Sequence, residues 1–142
     1  MSFNSDKEKR LIYFYLKIKT NRMILKNINT QKEFEIEGNF SSSRLLIGEF
    51  HDAHRQLVKL LRRHHFRKGL RWFLDWRNRI IIHPLEKSEG GLCSVEQRIL
   101  TEVVHISFRG YINEAVIYEG EHLLSDEEVK AQLNKRFPIK WS

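Results

Sequence analysis

The sequence predicts an α/β fold: a mixed sheet that begins with a three-stranded antiparallel meander, with helices packed on it, in the order β-β-β-α-β-α-β-α. Three observations carry this. Two short apolar runs, Ile80-Ile81-Ile82 and Ala115-Val116-Ile117-Tyr118, flank a helical period over residues 94–108, the pattern of buried parallel strands joined by a crossover helix. Three strand-like segments separated by short turns come first. A long amphipathic stretch lies between the two groups.

Taken in order, LIYFYLKIK (11–19) is aromatic and β-branched, then alternates from Leu16 to Lys19. It reads as a strand buried on both faces early and on one face later. Thr20-Asn21 suits a tight turn, residues 23–28 a second strand and Asn29-Thr30 a second turn. In KEFEIE (32–37) strict alternation points Phe34 and Ile36 inward and Glu33, Glu35 and Glu37 outward. After the loop at 38–44, apolar residues from Leu46 to Leu61 recur at spacings of three and four, which predicts a helix over 45–65. Residues 79–84 form the fourth strand, stopped by His83-Pro84. Ser94 and Gln97 are spaced for a capping box. Ile99, Leu100, Val103, Val104 and Ile106 are the expected buried face of that helix. Ser125 and Glu128 repeat the capping pattern before a short helix ending near Asn134.

A chain of 142 residues with 41% hydrophobic content reads as a single domain over 1–142. Only residues 1–9 are expected to be disordered. One cysteine, Cys93, excludes an internal disulfide and suits a reducing compartment. The polar N-terminus does not resemble a signal peptide, and no apolar run approaches the roughly 18 residues needed to cross a bilayer. A cytoplasmic protein, at most peripheral at the inner membrane, is expected. The net charge of +7 points to an anionic partner, nucleic acid or lipid.

Val95-Glu96-Gln97-Arg98-Ile99-Leu100-Thr101-Glu102 resembles the Val-Glu-x-Arg-x-x-x-Glu helix of the bacterial actin-like MreB family. RIIIHP (79–84) is similar to that family's strand ending in Val-Pro, and EAVIYEG (114–120) to its strand ending in Ile-Glu-Glu-Pro. The resemblance covers roughly 45–120 and implies an actin-like half-domain with a ribonuclease-H-like layout. It places Glu119 at the family's water-activating carboxylate. Where the family has its first phosphate loop, this chain has Lys17-Ile18-Lys19-Thr20-Asn21, without glycine or acid. The resemblance therefore implies a reduced relative lacking the phosphate loops, with Glu119 inactive and no cofactor, metal or enzymatic activity.

The strongest feature outside the fold is residues 55–79, where nine basic residues face Asp75 alone, a local charge of +8 that exceeds the net +7 of the whole chain. Arg62, Arg63, Arg67, Lys68, Arg71 and Arg77 are interleaved with Trp72, Phe73 and Trp76. Such a stretch suits an interfacial anchor on anionic lipid or a nucleic-acid site with bases on rings and phosphates on arginines. GLRWFLDW (69–76) falls where MreB-like proteins carry an apolar membrane-inserting loop, so the resemblance implies contact with the inner membrane surface or with a cytoskeletal or cell-envelope partner. Inward packing of the rings is the competing reading.

His51 and His54, three apart, fall short of a tetrahedral zinc site. His64 and His65 would gain charge on mild acidification. Cys93 before a helix is a candidate low-pKa thiol, and more simply a structural one. Ser41-Ser42-Ser43 reads as loop. Glu33, Glu35 and Glu37 form a solvated face or a docking edge, and an open edge in the first three strands would permit a dimer.

Overall fold

The computed structural model describes residues 11–64, 77–87 and 90–136. Its elements are β1 (Leu11–Lys19), β2 (Arg22–Asn27), β3 (Lys32–Glu37), α1 (Phe50–Arg63), β4 (Arg77–Pro84), α2 (Ser94–Ser107), β5 (Glu114–Ile117) and α3 (Asp126–Arg136). One five-stranded sheet runs in the order β3-β2-β1-β4-β5. β1 pairs antiparallel with β2, and β2 with β3. β1 and β4 are parallel, as are β4 and β5. The mixed sheet and the meander are as the sequence predicts.

Alternation along β1 sorts the core into two halves. Ile12, Phe14, Leu16 and Ile18 join Met23, Leu25, Ile80 and Ile82 beneath α1 and α2, whose Leu57, Leu60, Leu61, Leu100, Val103 and Val104 close that face. Leu11, Tyr13 and Tyr15 join Ile81 and Val116 on the other face, covered by Val129 and Leu133 of α3. Phe14 is fully buried, with Phe108 edge-on at 5.4 Å.

The meander closes through local polar chemistry. Asn21 and Gln31 take positive φ at the two turns, and the Asn27 carboxamide oxygen accepts the amides of Asn29 and Thr30. Lys17 pairs with Glu33, and Arg22 with Glu35 and Glu37. Each outward carboxylate of β3 is thus paired within its own sheet.

Four expectations need correction. α1 starts at Phe50, not near Leu45. The Ser42 hydroxyl accepts the Leu45 amide, and Phe40 O accepts the amides of Gly48 and Glu49, which holds 40–49 as a loop. Phe40, Leu46 and Ile47 are buried from that loop, so the periodicity recorded burial rather than helix. α2 is capped at Cys93 instead of Ser94, with the Cys93 amide 3.5 Å from Glu96 Oε1. Ile106 lies outside the buried face of α2, which is completed by Ser107. α3 runs to Arg136, two residues beyond the expected end. Its predicted cap is present: Glu128 N donates to Ser125 Oγ and Ser125 N to Glu128 Oε1.

Because Phe14 fills the contact between β1 and both overlying helices, Phe14→Ala is expected to cost about 3–5 kcal/mol, measured by urea denaturation.

Candidate functional site

The basic segment joins the C-terminus of α1 to the start of β4. Arg62 and Arg63 are exposed in the last turn of α1, and Arg77 is exposed at the first position of β4. Arg77 lies opposite Leu11 in the register, and His64, which caps α1, packs edge-on against Phe14 and Phe34. The segment therefore leaves the sheet near Phe14 and Phe34 and returns to it opposite Leu11. Arg63 Nη1 donates to Glu35 O at 3.2 Å. Among the described residues, Arg62 and Arg77 form no ion pair. Arg67, Lys68, Arg71, Trp72, Phe73 and Trp76 lie outside the described residues, as do His65 and the expected disorder at 1–9.

The neighbouring residues are structural. Arg55 pairs with Asp52, and Arg79 donates to Asn134. His64 is half-buried, its Nε2 2.8 Å from Leu25 O, so it packs against the sheet. His54 Nδ1 sits 3.0 Å from Ser107 Oγ while His51 is exposed, so the pair does not converge.

At the opposite end of the sheet, carboxylates stitch loops together. Glu119 Oε1 accepts the Leu92 amide at 2.8 Å, and its Oε2 accepts from Gln97 Nε2 at 3.3 Å. It ties the end of β5 to the start of α2, where a negative charge is favoured by the helix amides. Glu86 accepts the Thr20 amide at 2.6 Å, which holds its carboxyl below the usual range. The amides of Asn21 and Ser41 bond to each other's side chains.

A buried polar pair sits between these ends. Tyr15 Oη is 2.6 Å from His83 Nδ1, and His83 Nε2 is 2.7 Å from Gly120 O. A carbonyl only accepts, so Nε2 carries the proton and Nδ1 accepts from the Tyr15 hydroxyl. Tyr15 Oη in turn accepts the Leu124 amide at 3.1 Å. The two rings stack 5.8 Å apart, and Tyr118 meets His83 edge-on. Burial pushes the Tyr15 hydroxyl up and the His83 imidazole down from their ordinary pKa values. With the neutral tautomer fully bonded, the pair fastens residues 120–124 to the sheet.

Over 123 residues the chain is 32% identical to the uncharacterized protein YjaA of Escherichia coli (strain K12), a match spanning 86% of this chain and 97% of that protein. The chain belongs to the YjaA family. No family model matches it. The similarity runs almost end to end along YjaA.

In this YjaA-family chain, sequence reasoning passed over Tyr15 and His83. A signal was available: His83 is the one ionisable side chain in the run from Ile80 to Pro84, where a buried strand leaves no room for a free charge. No helix among the described residues is long and apolar enough to cross a membrane.

Two outcomes are expected. Unfolding exposes His83 and lets it protonate near its ordinary pKa of about 6.5, before the folded chain can. Stability therefore falls as pH drops below about 6.5 and stops falling from this source once folded His83 is itself protonated. His83→Gln should flatten that part of a denaturation-midpoint profile between neutral pH and pH about 5. Glu119→Ala should cost about 1 kcal/mol by urea denaturation, through loss of its link to Leu92 and Gln97.

Proposed function

We propose that this chain is a non-catalytic binding module whose contact surface is the basic–aromatic segment between α1 and β4, and whose partner is an anionic membrane surface. The observation that carries this is the concentration of charge. The segment 55–79 holds +8 while the rest of the chain nearly cancels. Its described members Arg62 and Arg77 are exposed. Tryptophan and phenylalanine among those arginines suit the headgroup region, where rings bury their apolar bodies and each cation gains about 1 kcal/mol from anionic lipid.

The scaffold is a reduced actin-like half-domain of ribonuclease-H-like layout. The element order and the strand order β3-β2-β1-β4-β5 support that reading. Use of the Thr20 and Asn21 amides by Glu86 and Ser41 supports the lack of a phosphate cradle. Glu119, engaged with Leu92 and Gln97, serves as a strut.

The test is co-sedimentation with phosphatidylcholine vesicles, with and without phosphatidylglycerol. Binding should require the anionic lipid, weaken with salt, and disappear in Trp72→Ala/Phe73→Ala. Arg62→Ala/Arg77→Ala should weaken it by about 2 kcal/mol. Equal binding to neutral vesicles, or none to either, rejects the lipid reading. Tight, salt-sensitive retention of unrelated RNA without vesicle binding would transfer the segment to nucleic acid.

A further inference from the structure

α2 carries a stripe that neither the core nor the proposed lipid contact uses. Val95 is 63% exposed and Ile106 48% exposed, two of the four large apolar side chains in the described residues left open to this degree. At about 100° per residue, Val95, Glu102 and Ile106 fall within about 40° of one another on the outer face of the helix. Arg98 lies beside Glu102 on one flank of that stripe. Both charged residues are exposed and one helical turn apart. No ion pair joins them among the described residues, and Arg preceding Glu by four is the weaker orientation for an intrahelical pair.

The positions are symmetric. The midpoint of Val95 and Ile106 falls between residues 100 and 101, and that of Arg98 and Glu102 at residue 100. A two-fold axis there, perpendicular to α2, sets Val95 over the Ile106 of a second copy. The same operation brings Arg98 against the other copy's Glu102, twice, because both lie on one flank. The two registers agree to within about 1 Å at 1.5 Å of rise per residue. A stripe that meets an unrelated partner has no reason to be self-complementary about its own centre, whereas an isologous contact requires it.

We infer that α2 is a self-association surface, pairing antiparallel with α2 of a second copy through a Val95–Ile106 apolar seam and reciprocal Arg98–Glu102 ion pairs. The occupant is a second copy of this chain. The contact involves few residues per side against the roughly 20–30 of a standard interface, so the dimer is weak and reversible.

Sedimentation velocity over a concentration series, without lipid, tests this. The wild-type chain should shift toward twice its 17.1 kDa mass as concentration rises. Arg98→Glu and Glu102→Arg, both at exposed helix positions, should each weaken association at least tenfold while leaving the circular dichroism spectrum unchanged. Mixed together, the two variants should associate again, because every contact then joins opposite charges. The double variant Arg98→Glu/Glu102→Arg should do so alone. A wild-type chain that stays monomeric throughout overturns the inference, as do single reversals that dimerise normally or a mixture that does not recover. None of these readings depends on whether vesicles bind.

Discussion

Everything in this structure depends on β1 being buried from both sides and both edges. Its neighbours are β2 on one edge and β4 on the other, and its alternating side chains supply the centre of both core halves. A strand so placed has every backbone group paired and every early side chain packed, so it fixes the plane of the sheet and the level of each helix. Only from Lys17 onward does one face open, and there Lys17 meets Glu33. The switch from full burial to alternation within nine residues marks where α3 and its loop stop covering the sheet.

The ends of that sheet have different chemistry. Where the strands finish, acidic side chains are consumed internally: Glu86 on Thr20, Glu119 on Leu92, Glu128 on Ser125 and Asp52 on Asn39. Each carboxylate accepts a backbone amide that a loop would otherwise leave to water, a charge-assisted bond stronger than a neutral one. Asp126 likewise takes Lys26 and Gln31, which holds its carboxyl low. Arg62 and Arg77, by contrast, are exposed and form no ion pair among the described residues.

How much of this was legible in the residues varies by kind of signal. Alternation in KEFEIE located β3 and its two faces correctly, because a period of two has no other common cause. The spacing of four from Leu46 to Phe50 misled, because a loop folded over the core buries Leu46 just ahead of the helix. Capping was read correctly at Ser125, where the partner Glu128 is local. It was misread at Ser94, where Gln97 turns instead to Glu119, 22 residues away. Ile106 continues the apolar pattern of α2 in sequence, yet it is exposed on a face turned away from Leu100 and Val104.

The sequence by itself determined the order of elements, the meander, the crossover unit and the concentration of positive charge. These rest on local periodicity and local composition, which a chain carries wherever it is placed. Tertiary structure alone decided that β1 is central, that His83 and Tyr15 meet across 68 residues, and that Glu119 is a strut. It also decided which face of α2 stays open. Those facts depend on which strand lies beside which, and pairing between distant segments leaves no trace in either segment's own pattern.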